Sequence, residues 1–142
     1  MVQTPKQHIG EIGEDIAVKH LVKHFFEILD RNYRKKWGEI DIVAKKDDIL
    51  HFIEVKTVNV SPRQEFFKIP DGVSHETKNE SYQPEENVHL WKRQRLARAI
   101  KTYLLENKVP DEIEWQVDIM AIFLDFKTRR AKIRLTENII LS

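Results

Sequence analysis

The chain contains no cysteine, which excludes disulfides, thiol nucleophiles and thiolate zinc sites together. It also lacks long apolar runs. No stretch approaches the roughly 20 residues needed to cross a bilayer, and the opening MVQTPKQHIGEIGED has no apolar signal core. A cytoplasmic protein is expected. Charge of neither sign dominates, because 24 lysines and arginines face 23 acids for a net charge of +1. Global charge therefore announces no nucleic-acid partner, and only its distribution can. No internal repeat or low-complexity tract interrupts the chain. With 41% hydrophobic and 33% charged residues over 142 positions, it reads as one globular domain, burying roughly 70% of its unfolded surface.

Hydrophobic spacing divides the chain into elements. Residues 10–24 carry Ile12, Ile16, Ala17 and Leu21 at helical intervals, with Glu14 beside that stripe. FFEILDRNYR (25–34) reads as a first strand running into the basic segment Arg31 to Lys36. Residues 39–45 and 49–58 read as two more strands joined by the turn Lys46-Asp47-Asp48. Residues 59–87 differ in kind: three prolines, few aliphatics, and six acids against three bases predict a long polar loop or lid. A basic helix follows at 88–107 with Leu96, Ile100, Tyr103 and Leu104 as its buried face. Two strands close the chain at 114–125 and 129–136 around the turn Asp125 to Thr128. The order α-β-β-β-α-β-β predicts an α/β fold, a mixed sheet flanked by helices.

The stretch GEIDIVAKKDDILHFIEVKTV (38–58) sets charges inside apolar strands. Alternation directs Leu50, Phe52, Glu54 and Lys56 to one face and Ile49, Ile53 and Val55 to the other. On the preceding strand it groups Glu39, Asp41 and Val43. Pairing through the hairpin brings Asp41 near Glu54, with the register uncertain by one residue. Two carboxylates buried together cost several kcal/mol each unless compensated, and a divalent cation keeps both ionised. All-oxygen ligands suit magnesium or manganese, the chemistry of metal-assisted phosphodiester hydrolysis, in which Lys56 could orient water or stabilise developing charge. Glu-x-Lys alone carries nothing, since it occurs three times here, at Glu54, Glu76 and Glu106. Only the first lies in an apolar strand behind an acid-bearing one. The competing explanation is an edge strand with a solvated charged face, but LHFIEVKTV is apolar on both faces.

These motifs resemble the YraN-like family of predicted bacterial endonucleases, within the PD-(D/E)xK nuclease superfamily and similar to archaeal Holliday-junction resolvases. The resemblance runs through Gly10-x-x-Gly13-Glu14-x-x-Ala17, Ile28-Leu29, Arg31-Asn32-Tyr33-Arg34, Gly38-Glu39-Ile40-Asp41 and Glu54-Val55-Lys56-Thr57. Beyond the polar loop it thins to Lys92, Arg95-Leu96, Ala99, Tyr103-Leu104 and Asp118. It implies a restriction-endonuclease-like fold and a Mg²⁺-dependent DNA endonuclease, with Mn²⁺ able to substitute, acting on branched or structured DNA. It further implies Asp41 and Glu54 as metal ligands with the Val55 carbonyl as a third, Lys56 as the catalytic lysine and Glu14 as an additional acid. Glu39 belongs to the same signature without an assigned role. The alternative is a catalytically silent nucleic-acid-binding module or scaffold on the same fold. Departures are Phe25, where the family usually has glycine, Val58, where it usually has a basic residue, and a longer, more acidic loop.

Lys92, Arg93, Arg95, Arg98 and Lys101 could follow a phosphate backbone. An ordinary solvated helix face explains most of them. Lys92 and Arg95 match the resemblance, and with Arg34 they are the candidate DNA contacts. His20 and His24 are spaced for a metal, but no third ligand accompanies them in sequence. Trp37, Trp91 and Trp115 are expected to pack rather than stack on bases. The aromatic pair Phe66-Phe67 in the polar loop has no assigned role. A homodimer would suit a two-fold substrate, with the apolar tail Ile139-Ile140-Leu141 as its candidate seam.

Overall fold

The computed structural model describes residues 5–60 and 90–141, with Lys6 described in its backbone alone. Helix α1 (Pro5–Lys23) leads into β1 (Glu27–Lys35), β2 (Gly38–Lys46) and β3 (Ile49–Asn59). Helix α2 (Leu90–Glu106), β4 (Trp115–Asp125) and β5 (Arg130–Thr136) follow. The sheet order is β1-β2-β3-β4-β5. Every pairing is antiparallel except β3 with β4, which is parallel. The mixed α/β architecture and the element order agree with the sequence reading.

Among the described residues each sheet face carries one helix, and strand alternation builds two main cores beside a smaller cluster of Val58, Ala121 and Phe123. Ala17 and Leu21 of α1 pack with Ile42, Ala44, Ile53, Met120, Ile122 and Leu124. On the other face Leu96, Ala99, Ile100 and Tyr103 of α2 pack with Ile40, Val43, Leu50, Phe52 and Val117. Leu50 and Phe52 thus face α2 while Ile53 and Val55 face α1, as period-two alternation requires. Among the described residues no helix is long and apolar enough to cross a membrane.

Three boundaries differ from expectation for local reasons. Helix α1 starts at Pro5, not near residue 10, because proline is tolerated in a first turn and Ile9 extends the apolar stripe onto the core. β1 starts at Glu27, not Phe25. The amide of Phe26 donates to the Leu21 carbonyl at 2.9 Å and that of Phe25 to Val22 at 3.1 Å, the paired bonds of a Schellman cap. That cap sets Phe25 at φ 69°, a left-handed slot that glycine fills without strain. β3 continues through Asn59, so the polar loop does not begin there. Residues 61–87 of that expected loop, with Phe66 and Phe67, lie outside the described residues.

The hairpin between β2 and β3 fixes the register that the sequence left open by one residue. Asp47 and Asp48 both have positive φ, 51° and 65°, the signature of a two-residue type I′ turn. Pairing therefore runs from Lys46↔Ile49 to Ile42↔Ile53, where it stops. Beyond that point β2 stays on β1 as far as Lys35↔Gly38, and β3 stays on β4 as far as Asn59↔Leu124. The sheet parts along one seam. The face expectation for β2 needs correction at the same place. Ile40 and Val43 share the α2 core although three residues apart, so alternation breaks between them and does not carry from Val43 to Asp41 and Glu39.

The C-terminal tail folds back. The Ile139 amide donates to the Val117 carbonyl at 2.8 Å, and Ile139 and Leu141 pack on the α2 core, leaving Ile140 outward. All three tryptophans are exposed, against the expectation that they pack, although Trp115 meets Phe52 edge-on and the Trp37 indole donates to Thr102 Oγ1 at 2.8 Å.

Phe25 is 87% exposed, so removing its ring forfeits little packing while relieving the left-handed backbone. Phe25→Gly is expected to raise the unfolding free energy by about 1 kcal/mol. The readout is a higher urea midpoint at an unchanged m-value. A lower midpoint would show that the ring has a packing role.

Candidate metal centre at the strand divergence

Asp41 is the first residue of β2 past the last β2–β3 pair, and Glu54 is the first of β3. Extending the register sets them opposite one another, where the backbones have begun to separate. The gap is bridged by a side chain: the Val55 amide donates to Asp41 Oδ2 at 2.8 Å. A carboxylate thereby takes the amide that a continuing ladder would have engaged. Glu54 is 5% exposed and lies beside it. Burial first, then the charge of Glu54, pushes the Asp41 carboxyl up to about 7.

Helices bring further charges to the seam, and a glycine allows each approach. A Cβ on Gly13 would fall 1.9 Å from Thr57 Oγ1, so α1 sits directly on β3 and presents the next residue, Glu14, to the site. Burial, then Asp41, raises the Glu14 pKa despite Arg31, whose guanidinium lies 3.4 Å from Oε1. On the opposite face a Cβ on Gly38 would fall 1.9 Å from the Arg95 carbonyl oxygen. Helix α2 is pressed onto β2 there, and Arg95 reaches Glu39 Oε2 at 2.9 Å and the Lys36 carbonyl at 3.2 Å. Lys92, one turn earlier, sets Nζ 3.1 Å from Glu54 Oε1. Burial works against the Lys92 ammonium, but Glu54 and then Asp41 outweigh it and raise its pKa.

Glu14, Glu39, Asp41, Glu54, Val55, Lys56, Arg34 and Lys92 all line one open cavity of about 820 Å³. Of the sequence candidates only Arg95 stands back from it, held by Glu39. That pairing accounts for Glu39: it fixes α2 rather than facing Asp41 as a partner. Lys56 lines the cavity with no ion pair among the described residues. Arg31 and Asn32 also line it and were not singled out from the sequence. Their signal is the Arg31-Asn32-Tyr33-Arg34 motif, three of whose four residues line the cavity.

Sequence reasoning also missed a buried pair toward the hairpin end of the sheet. His51 Nδ1 lies 2.6 Å from Asp118 Oδ2, and both residues are buried. Asp118 Oδ1 accepts from Gln116 Nε2 at 2.8 Å and from the Asn138 amide at 2.9 Å, securing the tail. The available signal was a polar residue, His51 on β3 and Asp118 on β4, inside each of two largely apolar buried runs. His51 also lines a smaller cavity, about 330 Å³, with His20 and His24. Among the described residues no group of three or more His, Cys, Asp or Glu side chains is arranged to hold a metal ion.

The donor set at the seam is therefore open: two carboxylates, with Val55 lining the same cavity. Magnesium is commonly held by one or two carboxylates and completes its shell with water and phosphate. The enclosed, mutually repelling pair fits such a cation, which would relieve the repulsion that raises Asp41.

Fold and site together define a three-layer α/β domain whose mixed sheet parts over a carboxylate pair, Glu54 buried and Asp41 half-buried, faced by lysines. The model of the uncharacterised protein family UPF0102 matches residues 13–122, and the chain belongs to that family. It is 36% identical to a UPF0102 protein of Campylobacter hominis over 93% of both chains. A Campylobacter jejuni member is 39% identical over 80% of this chain and 81% of its own. One from Caldicellulosiruptor bescii is 30% identical over 93% and 96%.

Two outcomes follow from this geometry. In metal-free buffer the folded protein keeps a proton on Asp41 that the unfolded chain, near 3.8, has lost. Stability should then fall as pH rises from about 4 to about 7. In Asp41→Asn that part of the decline should vanish, as read from denaturant midpoints across the window. Asp118→Ala removes the buried acceptor shared by the buried His51 ring, the Gln116 amide and the Asn138 backbone amide, and should cost about 3 kcal/mol. A loss below about 1 kcal/mol would mean that water replaces the carboxylate.

Proposed function

We propose that this domain is a magnesium-dependent DNA endonuclease, with manganese able to substitute, acting on branched or otherwise structured DNA. The observation that carries the reading is the meeting of Asp41 and Glu54 at the seam, beside Lys56 and open to a cavity that reaches both helices. A hairpin held only for stability would not enclose two carboxylates, since apolar residues of similar volume serve a core better.

Asp41, Glu54 and the Val55 carbonyl would hold the cation. When bound, it supplies Lewis acidity and lowers the pKa of a coordinated water. The chain's own residues do the rest. The Val55 amide fixes the Asp41 carboxylate, so its orientation does not depend on loading. Lys56, on the Glu54 side of β3 and without an ion pair among the described residues, positions the attacking water and stabilises charge on the phosphate. Glu14 adds a third acid from α1, and Arg34 and Lys92 at the cavity grip flanking phosphates. Arg95 contributes by holding α2 in place through Glu39.

A cleavage screen over junction, flap, single-stranded and duplex DNA with Mg²⁺ or Mn²⁺ tests this. At least one substrate should be cut, and Asp41→Ala and Lys56→Ala should each lose about 100-fold or more in rate while still folding. Full activity in both variants would sink the site assignment. Tight binding of structured DNA without any cutting would make the domain a binding module instead.

A further inference from the structure

The carboxylate pair at the seam already has a cation, and it belongs to the chain. Lys92 Nζ stands 3.1 Å from Glu54 Oε1, with the Lys92 side chain 37% exposed and that of Glu54 only 7%. The two partners differ in freedom. Glu54 is built into the centre of a five-stranded sheet and cannot leave. The Lys92 backbone is equally fixed, because Arg95 one turn on is tied to Glu39 and Lys36, and Leu96 and Ala99 are buried against the sheet. Its ammonium, however, ends a flexible four-carbon stem with an open route to solvent. Arg31 on Glu14 and Arg95 on Glu39 repeat the arrangement, but neither of those acids is among the proposed metal ligands.

We propose that Lys92 is a built-in counter-cation that occupies Glu54 in the metal-free protein and must be displaced when a divalent cation binds. This rests on the metal-binding reading above. Metal uptake then becomes an exchange of one cation for another: the ammonium keeps the buried Glu54 compensated before loading, lowers the affinity for metal, and is released into the cavity on loading. The freed ammonium is then available to a substrate phosphate only in the loaded state, which couples metal binding to substrate grip.

Calorimetric titration of the full chain with Mn²⁺ alone, without DNA, tests this in wild type, Lys92→Met and Lys92→Gln, each first checked for folding by thermal melting. Lys92→Met keeps most of the stem and removes the charge. It should bind Mn²⁺ about tenfold tighter, because one charge-assisted hydrogen bond no longer has to be given up. Its metal-free form should melt lower than wild type, and saturating Mn²⁺ should abolish that deficit. Lys92→Gln, which can still donate to Glu54, separates a charge effect from a structural pin. Tightening in the Gln variant supports the exchange, whereas wild-type affinity with restored stability marks a pin and overturns it. Binding by the variants but not by wild type would also support the exchange. Equal affinity in all three proteins overturns this proposal and leaves the metal site standing. No binding by any of them overturns the metal site as well.

Discussion

The bond from the Val55 amide to Asp41 Oδ2 is the interaction on which the arrangement at the seam depends. Where two strands separate, their amides and carbonyls lose partners, and a buried amide left alone is costly. Here a side-chain carboxylate takes the place of the missing backbone acceptor. The sheet can then part without an orphaned donor at Val55, and the bridging group is itself ionisable and faces the cavity. Its orientation comes from the backbone of the neighbouring strand rather than from its own rotamer preference. Asp41 and Glu54 consequently face the same opening with little conformational freedom left to lose.

Two glycines set the distance from which everything else reaches this opening. Gly13 lets α1 sit on Thr57, and Gly38 lets α2 press its backbone on β2. In each case an acid follows immediately, Glu14 and Glu39. The contacts differ in tolerance. At Gly13 the obstruction is a side chain, whereas at Gly38 it is the Arg95 carbonyl, which has nowhere to move. That close approach brings Lys92 and Arg95 down to Glu54 and Glu39, so one missing side chain decides the reach of two long cations.

The site's electrostatics are those of a nearly balanced set held in place, not of a field spread over the surface. Glu14, Glu39 and Glu54 each pair with a basic residue from another element, which is compatible with a net charge of only +1. The second buried polar group, His51 with Asp118, serves a different purpose. Its bonds to Gln116 and Asn138 close the far part of the sheet and hold the tail against the core. Partner geometry, rather than burial, separates the open pair from the closed network.

Much of the fold was legible in the sequence because helices and strands announce themselves by local periodicity. The element order, the hairpin turn around Asp47 and Asp48, and the two apolar faces of β3 needed no tertiary information, whereas the turn's length and the register did. The gathering of Asp41, Glu54 and Lys56 followed from hairpin pairing, which joins neighbours in the chain. Glu14 and Lys92 could be nominated from motif position, but not placed. The sequence could not show that alternation breaks before Val43, that Glu39 turns to Arg95, or that Lys92 rests on Glu54. Nor could it pair His51 with Asp118, 67 positions away. Period and turn chemistry are properties of adjacent residues, so the chain alone determines them. Which charge neutralises which depends on how closely two helices approach one sheet, and only the packed structure decides that distance.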